Sequence, residues 1–184
     1  MRGILLMAWS NKVHSLLLTT GNKSELAAGY CTLYGDISGG LAVIGDLLKV
    51  EACALCRCIK ARGPLIPESI LTKAPSAELR LEQKDQDSLP PYETLDAILQ
   101  KYLVENASAG EIAAARHDPT LVRSVIRMVE KAQYKRRQAP PVLKVSPKAF
   151  GTGRRIPIAR TFFCKPVGPS DGGGAKRGQL RDEA

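Results

Sequence analysis

The string Thr19-Thr20-Gly21-Asn22-Lys23-Ser24-Glu25 gathers hydroxyls, an amide, an ammonium and a carboxylate around one glycine. It follows an apolar run, residues 15–20, that suits a buried parallel strand, and it can open a helix. Beyond the carboxyl ends of strands in α/β sheets, helix N-termini offer unpaired N–H groups to anions. Small residues let a ligand approach closely, and Glu25 could hold Mg²⁺ or a ribose hydroxyl. A plain strand-to-helix turn with a serine cap is the alternative reading of the same residues.

Two other stretches carry charge in unusual density. Residues 72–91 are polar, bounded by prolines and without periodicity, and at about 20 residues they exceed an ordinary connection; the length favours a functional loop, while composition alone fits an exposed connection equally well. Tyr134-Lys135-Arg136-Arg137 ends a helical pattern, where cations are favoured by the dipole without any further role. Cys53, Cys56 and Cys58 lie close together, but the histidines are His14 and His117 only, so buried thiols are a better reading than a zinc site. An odd count of five cysteines is no disulfide framework and points to a reducing, cytoplasmic compartment.

The chain has 184 residues, 44% of them apolar, enough for one domain with a real core. No apolar stretch approaches the ~20 residues of a membrane span, so no membrane partner is expected. The net charge of +9 is uneven: residues 1–130 hold 14 basic and 15 acidic side chains, and residues 131–184 hold 13 and 3. That basic end could be a polyanion- or RNA-binding module, or it could bring charge to a phosphorylated small molecule. No RNA-binding fingerprint accompanies it, and composition alone does not separate the two readings.

The elements that would position these groups can be read in order. A helix is predicted from Ser24 or Glu25 to about Tyr34, a short extended piece over 41–44, and a helix capped by Asp46 to about Arg62. One helical turn is predicted over 67–71. A helix from Tyr92 would bury Leu95, Ile98, Leu99, Tyr102 and Leu103, and a short one follows over 109–116. Asp118 as N-cap and Pro119 at the first position open the clearest helix, with Leu121, Val122, Val125, Ile126 and Val129 on its apolar face. Arg123, Arg127 and Lys131 lie opposite, a solvated face. A lone strand with many helices reads as part of an α/β domain whose other strands lie elsewhere.

These strings, taken together, resemble the C-terminal part of the synthetase domain of the NAD synthetase family. Residues 16–40 (LLLTTGNKSELAAGYCTLYGDISGG), 66–92 (IPESILTKAPSAELRLEQKDQDSLPPY) and 134–141 (YKRRQAPP) occur in family order. The likeness extends to about residue 160 and is strongest to the glutamine-dependent bacterial branch. It implies an incomplete, Rossmann-like fold of the adenine-nucleotide α-hydrolase type over 1–160, with 161–184 as a flexible tail.

The resemblance also implies a reaction: ATP-dependent amidation of deamido-NAD to NAD through an adenylylated intermediate, with Mg²⁺. Ammonia or glutamine is the nitrogen source, and the parent is expected to be a homo-oligomer. Position by position, Thr20, Lys49 and Ser76 match ATP contacts, Glu25 matches a residue assigned to Mg²⁺ or deamido-NAD, and Lys135 matches a deamido-NAD contact. Lys49 stands in Leu47-Leu48-Lys49-Val50, where the family has a Val-Pro-Lys-Thr-like string. The family's Ser-Gly-Gly-x-Asp-Ser pyrophosphate loop has no counterpart here, so the chain is expected to be a fragment without synthetase activity alone.

Overall fold

In the computed structural model, the residues described are 1–73, 75–76, 85–151, 153 and 155–158. The chain opens with helix α1 (Arg2–Val13), then β1 (Leu18–Thr19), α2 (Lys23–Ala28), β2 (Leu41–Ala42), α3 (Lys49–Ala61) and α4 (Glu68–Thr72). A 3₁₀ turn over Asp85–Asp87 leads into α5 (Tyr92–Leu99), which runs on as a π turn over Gln100–Val104. Helices α6 (Ala109–Ala114), α7 (Pro119–Lys131) and α8 (Gln133–Arg136) follow.

The lone strand expected from sequence is a parallel pair. β1 and β2 align Leu18 with Leu41 and Thr19 with Ala42, and Val142 adds a parallel bridge to Ala42. The paired piece of β1 is two residues rather than six, and the apolar run before Leu17 is not part of it. The N-terminal apolar stretch is α1, whose Ile4, Leu5 and Trp9 lie exposed.

The core forms where α5, its π continuation and α7 lay their apolar stripes against α2 and α6. Leu95, Ile98, Leu99, Leu103, Ile112, Val122, Val125 and Val129 are fully buried there, each contributing about 1.5–3 kcal/mol of transfer free energy. The predicted start of α7 is present: both carboxylate oxygens of Asp118 accept backbone N–H groups, from Thr120 and Leu121. Of its basic face, Arg127 and Lys131 are exposed and Arg123 is half-buried.

Three boundaries differ from expectation for physical reasons. α2 stops at Ala28 instead of Tyr34, because Gly29 turns to φ 72° and ends it. A side chain there would also collide with Ala132, whose Cβ lies 2.6 Å from where a Cβ would stand. The α2 cap is Asn22 and not Ser24. Asp46 does not cap α3, which begins at Lys49, because its carboxylate is engaged elsewhere. Among the cysteines, Cys31 is buried, Cys53 and Cys56 are half-buried and Cys58 is exposed, so burial of the α3 thiols is only partial. No helix among the described residues is long and apolar enough to cross a membrane. The proposed tail over 161–184 lies outside the described residues.

Candidate functional site

The residues Thr20 to Glu25 sit at the carboxyl end of β1, where the chain leaves the sheet and enters α2. Asn22 closes the entry as a reciprocal cap. Its Oδ1 accepts the Glu25 N–H at 3.0 Å, and its own N–H donates to Glu25 Oε2 at 3.2 Å. That fixes the Glu25 carboxylate at the helix start. Its other oxygen lies 3.4 Å from the Lys49 ammonium, with both side chains partly open to solvent. Thr20 is exposed beside them, while Thr19 points inward and is buried.

Lys49 comes from the first turn of α3, and its position relative to Glu25 is set by a carboxylate that sequence reasoning missed. Asp96, buried on α5, accepts the Ser24 hydroxyl on Oδ1 and the Val50 N–H at 2.8 Å on Oδ2. Ser24 Oγ in turn accepts the Lys49 N–H at 2.9 Å. One acid thus ties together the starts of α2 and α3. The signal was available: an aspartate inside the stripe Leu95-Asp96-Ile98-Leu99 needs a buried partner.

The Lys49 ammonium also lies 5.5 Å above the ring of Tyr92, a cation–π contact. The Tyr92 hydroxyl donates to Asp85 Oδ2 at 2.7 Å, and the Asp85 N–H donates to the Pro75 carbonyl at 3.0 Å. Ser76, half-buried, is the next residue in the chain after that carbonyl. The long polar segment is therefore stitched at its base to the aromatic ring that carries Lys49. Residues 77–84, the middle of that segment, lie outside the described residues.

Burial shapes the electrostatics. Desolvation raises the Glu25 carboxyl above its ordinary value, against the opposing pull of Lys49 and the Asn22 N–H. Asp96 is raised by burial as well, despite its bonds from Ser24 and Val50. Burial and the neighbouring Asp85 carboxylate push the Tyr92 phenol well up, so it stays a donor.

A second buried cluster underpins the site from below. The Lys23 ammonium donates to Asp46 Oδ1 at 2.9 Å, to Ser146 Oγ at 2.8 Å and to the Lys148 carbonyl at 2.9 Å. Asp46 also accepts the Val145 and Ser146 N–H groups at 2.8 and 2.6 Å. Burial works to raise its carboxyl, but Lys23 and those N–H groups outweigh it and hold the value below the ordinary 3.8.

Of the residues expected from sequence, Glu25 and Lys49 meet at 3.4 Å, Thr20 is exposed one residue beyond the end of β1, and Ser76 follows Pro75, which is joined to Lys49 through Asp85 and Tyr92. Lys135 lies at the far end of α2. Its ammonium donates to the carbonyls of Gly29 at 2.6 Å and Cys31 at 2.8 Å. Arg136 is buried, giving its N–H groups to Leu26, Ala27 and Val129 carbonyls and to Gln133. Of the string 134–137, Tyr134 and Arg137 are exposed, Lys135 is half-buried and Arg136 is buried.

A family model for NAD synthase matches residues 1–139. The chain belongs to the NAD synthase family. Over 161 residues it is 53% identical to the glutamine-dependent NAD(+) synthetase of Synechocystis sp., a match that covers 88% of this chain and 29% of that protein. It is 50% identical over 163 residues to the glutamine-dependent NAD(+) synthetase of Thermotoga maritima, again covering 88% of this chain and 28% of the relative. The chain therefore spans under a third of the length of these NAD synthase relatives. Its fold resembles the crystal structure of a glutamine-dependent NAD(+) synthetase from Cytophaga hutchinsonii, with a TM-score of 0.61 at 23% identity. That match covers 85% of this chain and 26% of the other.

Proposed function

We propose that this chain supplies part of a ligase site that amidates deamido-NAD to NAD at the expense of ATP. The observation that carries the reading is the Glu25–Lys49 pair, held at the carboxyl end of a parallel strand beside an exposed Thr20. Family membership and the glutamine-dependent synthetases among its relatives support it.

The chemistry asks for positioning more than for a nucleophilic side chain. A nicotinate carboxylate oxygen attacks the α-phosphorus of ATP and pyrophosphate leaves, so the acyl carbon gains a good leaving group. Ammonia, free or released from glutamine, then adds to that carbon, loses a proton, and AMP departs with the former carboxylate oxygen. Lys49 can offset phosphate charge in the first step, and Thr20 and Ser76 can hydrogen-bond phosphate or sugar oxygens. Glu25 can accept from a ribose hydroxyl of deamido-NAD.

Mg²⁺ fits this site as a shared ion. Glu25 is one half-buried carboxylate, and Mg²⁺ in nucleotide sites takes one or two carboxylates plus phosphate oxygens and water. Among the described residues no cluster of three His, Cys, Asp or Glu offers a protein-only cage. When bound, the ion would neutralise charge on the phosphates. Lys49 competes for the same carboxylate, so nucleotide binding must loosen the 3.4 Å pair.

The test is titration calorimetry of the chain with deamido-NAD and with ATP–Mg²⁺, alongside NAD formation from both plus ammonia. Wild type is compared with Glu25→Gln and Lys49→Met. Glu25→Gln should weaken deamido-NAD or Mg²⁺-dependent ATP binding, and Lys49→Met should weaken ATP, each by roughly tenfold or more. Binding that ignores both substitutions overturns the reading.

A further inference from the structure

The stretch 142–150 runs past α2 as a strap and grips it at both ends. It enters beside the sheet, where Val142 bridges to Ala42 and the Leu143 N–H donates to the Ala42 carbonyl at 3.1 Å. It then reaches the start of α2. The Val145 and Ser146 N–H groups donate to Asp46 Oδ2. The Ser146 hydroxyl donates to Asp46 Oδ1 at 2.8 Å and accepts from the Lys23 ammonium at 2.8 Å. The Lys148 carbonyl takes a further N–H of Lys23 at 2.9 Å. At the far end of α2, the Arg136 guanidinium lies 4.7 Å from the centroid of the Phe150 ring and holds the Leu26 and Ala27 carbonyls at 3.0 Å.

α2 needs such a grip. It has six residues, and isolated helices below ~12–15 residues are marginal in water. Its first turn carries both Lys23 and Glu25. Asp46, the other anchor of the strap, stands in the short connection that delivers Lys49 at the start of α3. The Lys23 N–H donates to the Leu47 carbonyl at 2.8 Å, so the backbones of the two helix starts already meet there. Ser146 thus bonds at once to the helix that bears Glu25 and to the connection that sets Lys49. Asp96 makes a separate tie between the same two starts, through Ser24 and Val50. The place calls for a hydroxyl, which can donate and accept together. An aliphatic side chain would leave the buried Lys23 one acceptor short and Asp46 one donor short.

We infer that Ser146 is a positioning residue for the Glu25–Lys49 pair, acting through Lys23 and Asp46. It lies beyond residues 1–139, the stretch that the family model matches. The role rests on the ligase reading of that pair. When nucleotide binding loosens the 3.4 Å contact between Glu25 and Lys49, the hydroxyl bridge keeps the starts of α2 and α3 in register. The carboxylate and the ammonium then meet the ligand at a fixed spacing, although their own bond has opened.

The test is calorimetric titration of the whole chain with ATP–Mg²⁺ and with deamido-NAD, alongside amide hydrogen exchange. Wild type is compared with Ser146→Ala, Ser146→Thr and Val125→Ala. Ser146→Ala removes the hydroxyl and leaves the Lys23–Asp46 ion pair, so the fold is kept. Val125 is a fully buried residue of α7 outside the strap, and its truncation lowers stability without touching Ser146. Ser146→Ala should weaken at least one of the two ligands about tenfold and speed exchange at the Lys23 and Glu25 amides more than along α7. Ser146→Thr should restore both readouts, and Val125→Ala should leave the affinities unchanged. Wild type that binds neither ligand sinks the ligase reading, and this role falls with it. Wild-type binding that Ser146→Ala leaves intact overturns the role alone. So does equal weakening by Val125→Ala, or a threonine that fails to restore what alanine lost.

Discussion

The ammonium of Lys23 lies 2.9 Å from Oδ1 of Asp46, and both side chains are almost wholly withdrawn from solvent. Every donor and acceptor between them is used, since Ser146 and the Lys148 carbonyl complete the shell. Removing one partner of such a pair strands the other charge. Lys23→Met should lower unfolding free energy by about 3–5 kcal/mol, read from urea denaturation at pH 7.

The same pair sets an acid limb. The folded-state carboxyl of Asp46 sits below its ordinary 3.8, so the unfolded chain binds that proton more readily. Its contribution is complete above about pH 4 and is lost as the pH falls through the folded value. Stability measured from pH 6 down to pH 2 should fall, and Asp46→Asn should flatten the fall. An unchanged acid limb in that variant would place the titration elsewhere.

Glu25 has the opposite sign. Its carboxyl is raised above 4.5, so the folded chain holds the proton more tightly. The ionised form costs stability, which declines as the pH rises from below 4.5 through the folded value. Glu25→Gln should leave the ligand-free chain as stable as wild type or up to about 1 kcal/mol more stable at pH 7, by thermal melting. A functional group that stabilises the fold when removed is strained for a purpose; a clear loss of stability would argue for a structural carboxylate instead.

Asp85 Oδ1 is buried without a hydrogen-bond partner among the described residues, so Oδ2 and its bond from Tyr92 carry the side chain's satisfaction. Tyr92→Phe should cost about 1–3 kcal/mol in denaturant unfolding. If ATP binding passes through the stitched segment that bears Ser76, the same variant should raise the ATP dissociation constant, whereas Tyr102→Phe should not.

The thiols offer a chemical check. Burial pushes the Cys31 thiol up to about 11, while Cys58 is exposed. Brief maleimide treatment at pH 7.5 followed by peptide mass mapping should label Cys58 and leave Cys31 free. Equal labelling would mean that the α2–α8 junction opens readily.

What the sequence made legible was local. Asp118-Pro119 announced α7 because cap and first-turn residue are neighbours, and the family strings marked Thr20, Glu25 and Lys49 as companions. What it hid depended on distance along the chain. Asp46 looked like a helix cap until Lys23 and the 145–146 backbone claimed it. Asp96, passed over beside the apolar stripe of α5, joins two helix starts. Asn22 and Ser24 both could cap α2, and the choice turned on Ser24 being needed by Asp96. Arg136 read as one cation of a helix C-terminus, but the open carbonyls at the end of α2 hold it inside.

Lys135 carries three N–H bonds' worth of capacity, and two are already given to Gly29 and Cys31. An incoming oxygen can take the third without disturbing the helix end, but a second contact would have to unfasten a carbonyl. The residue is thereby limited to a single-point handshake with whatever it meets, and the grip it can add to any substrate is rationed by the helix it is already holding shut.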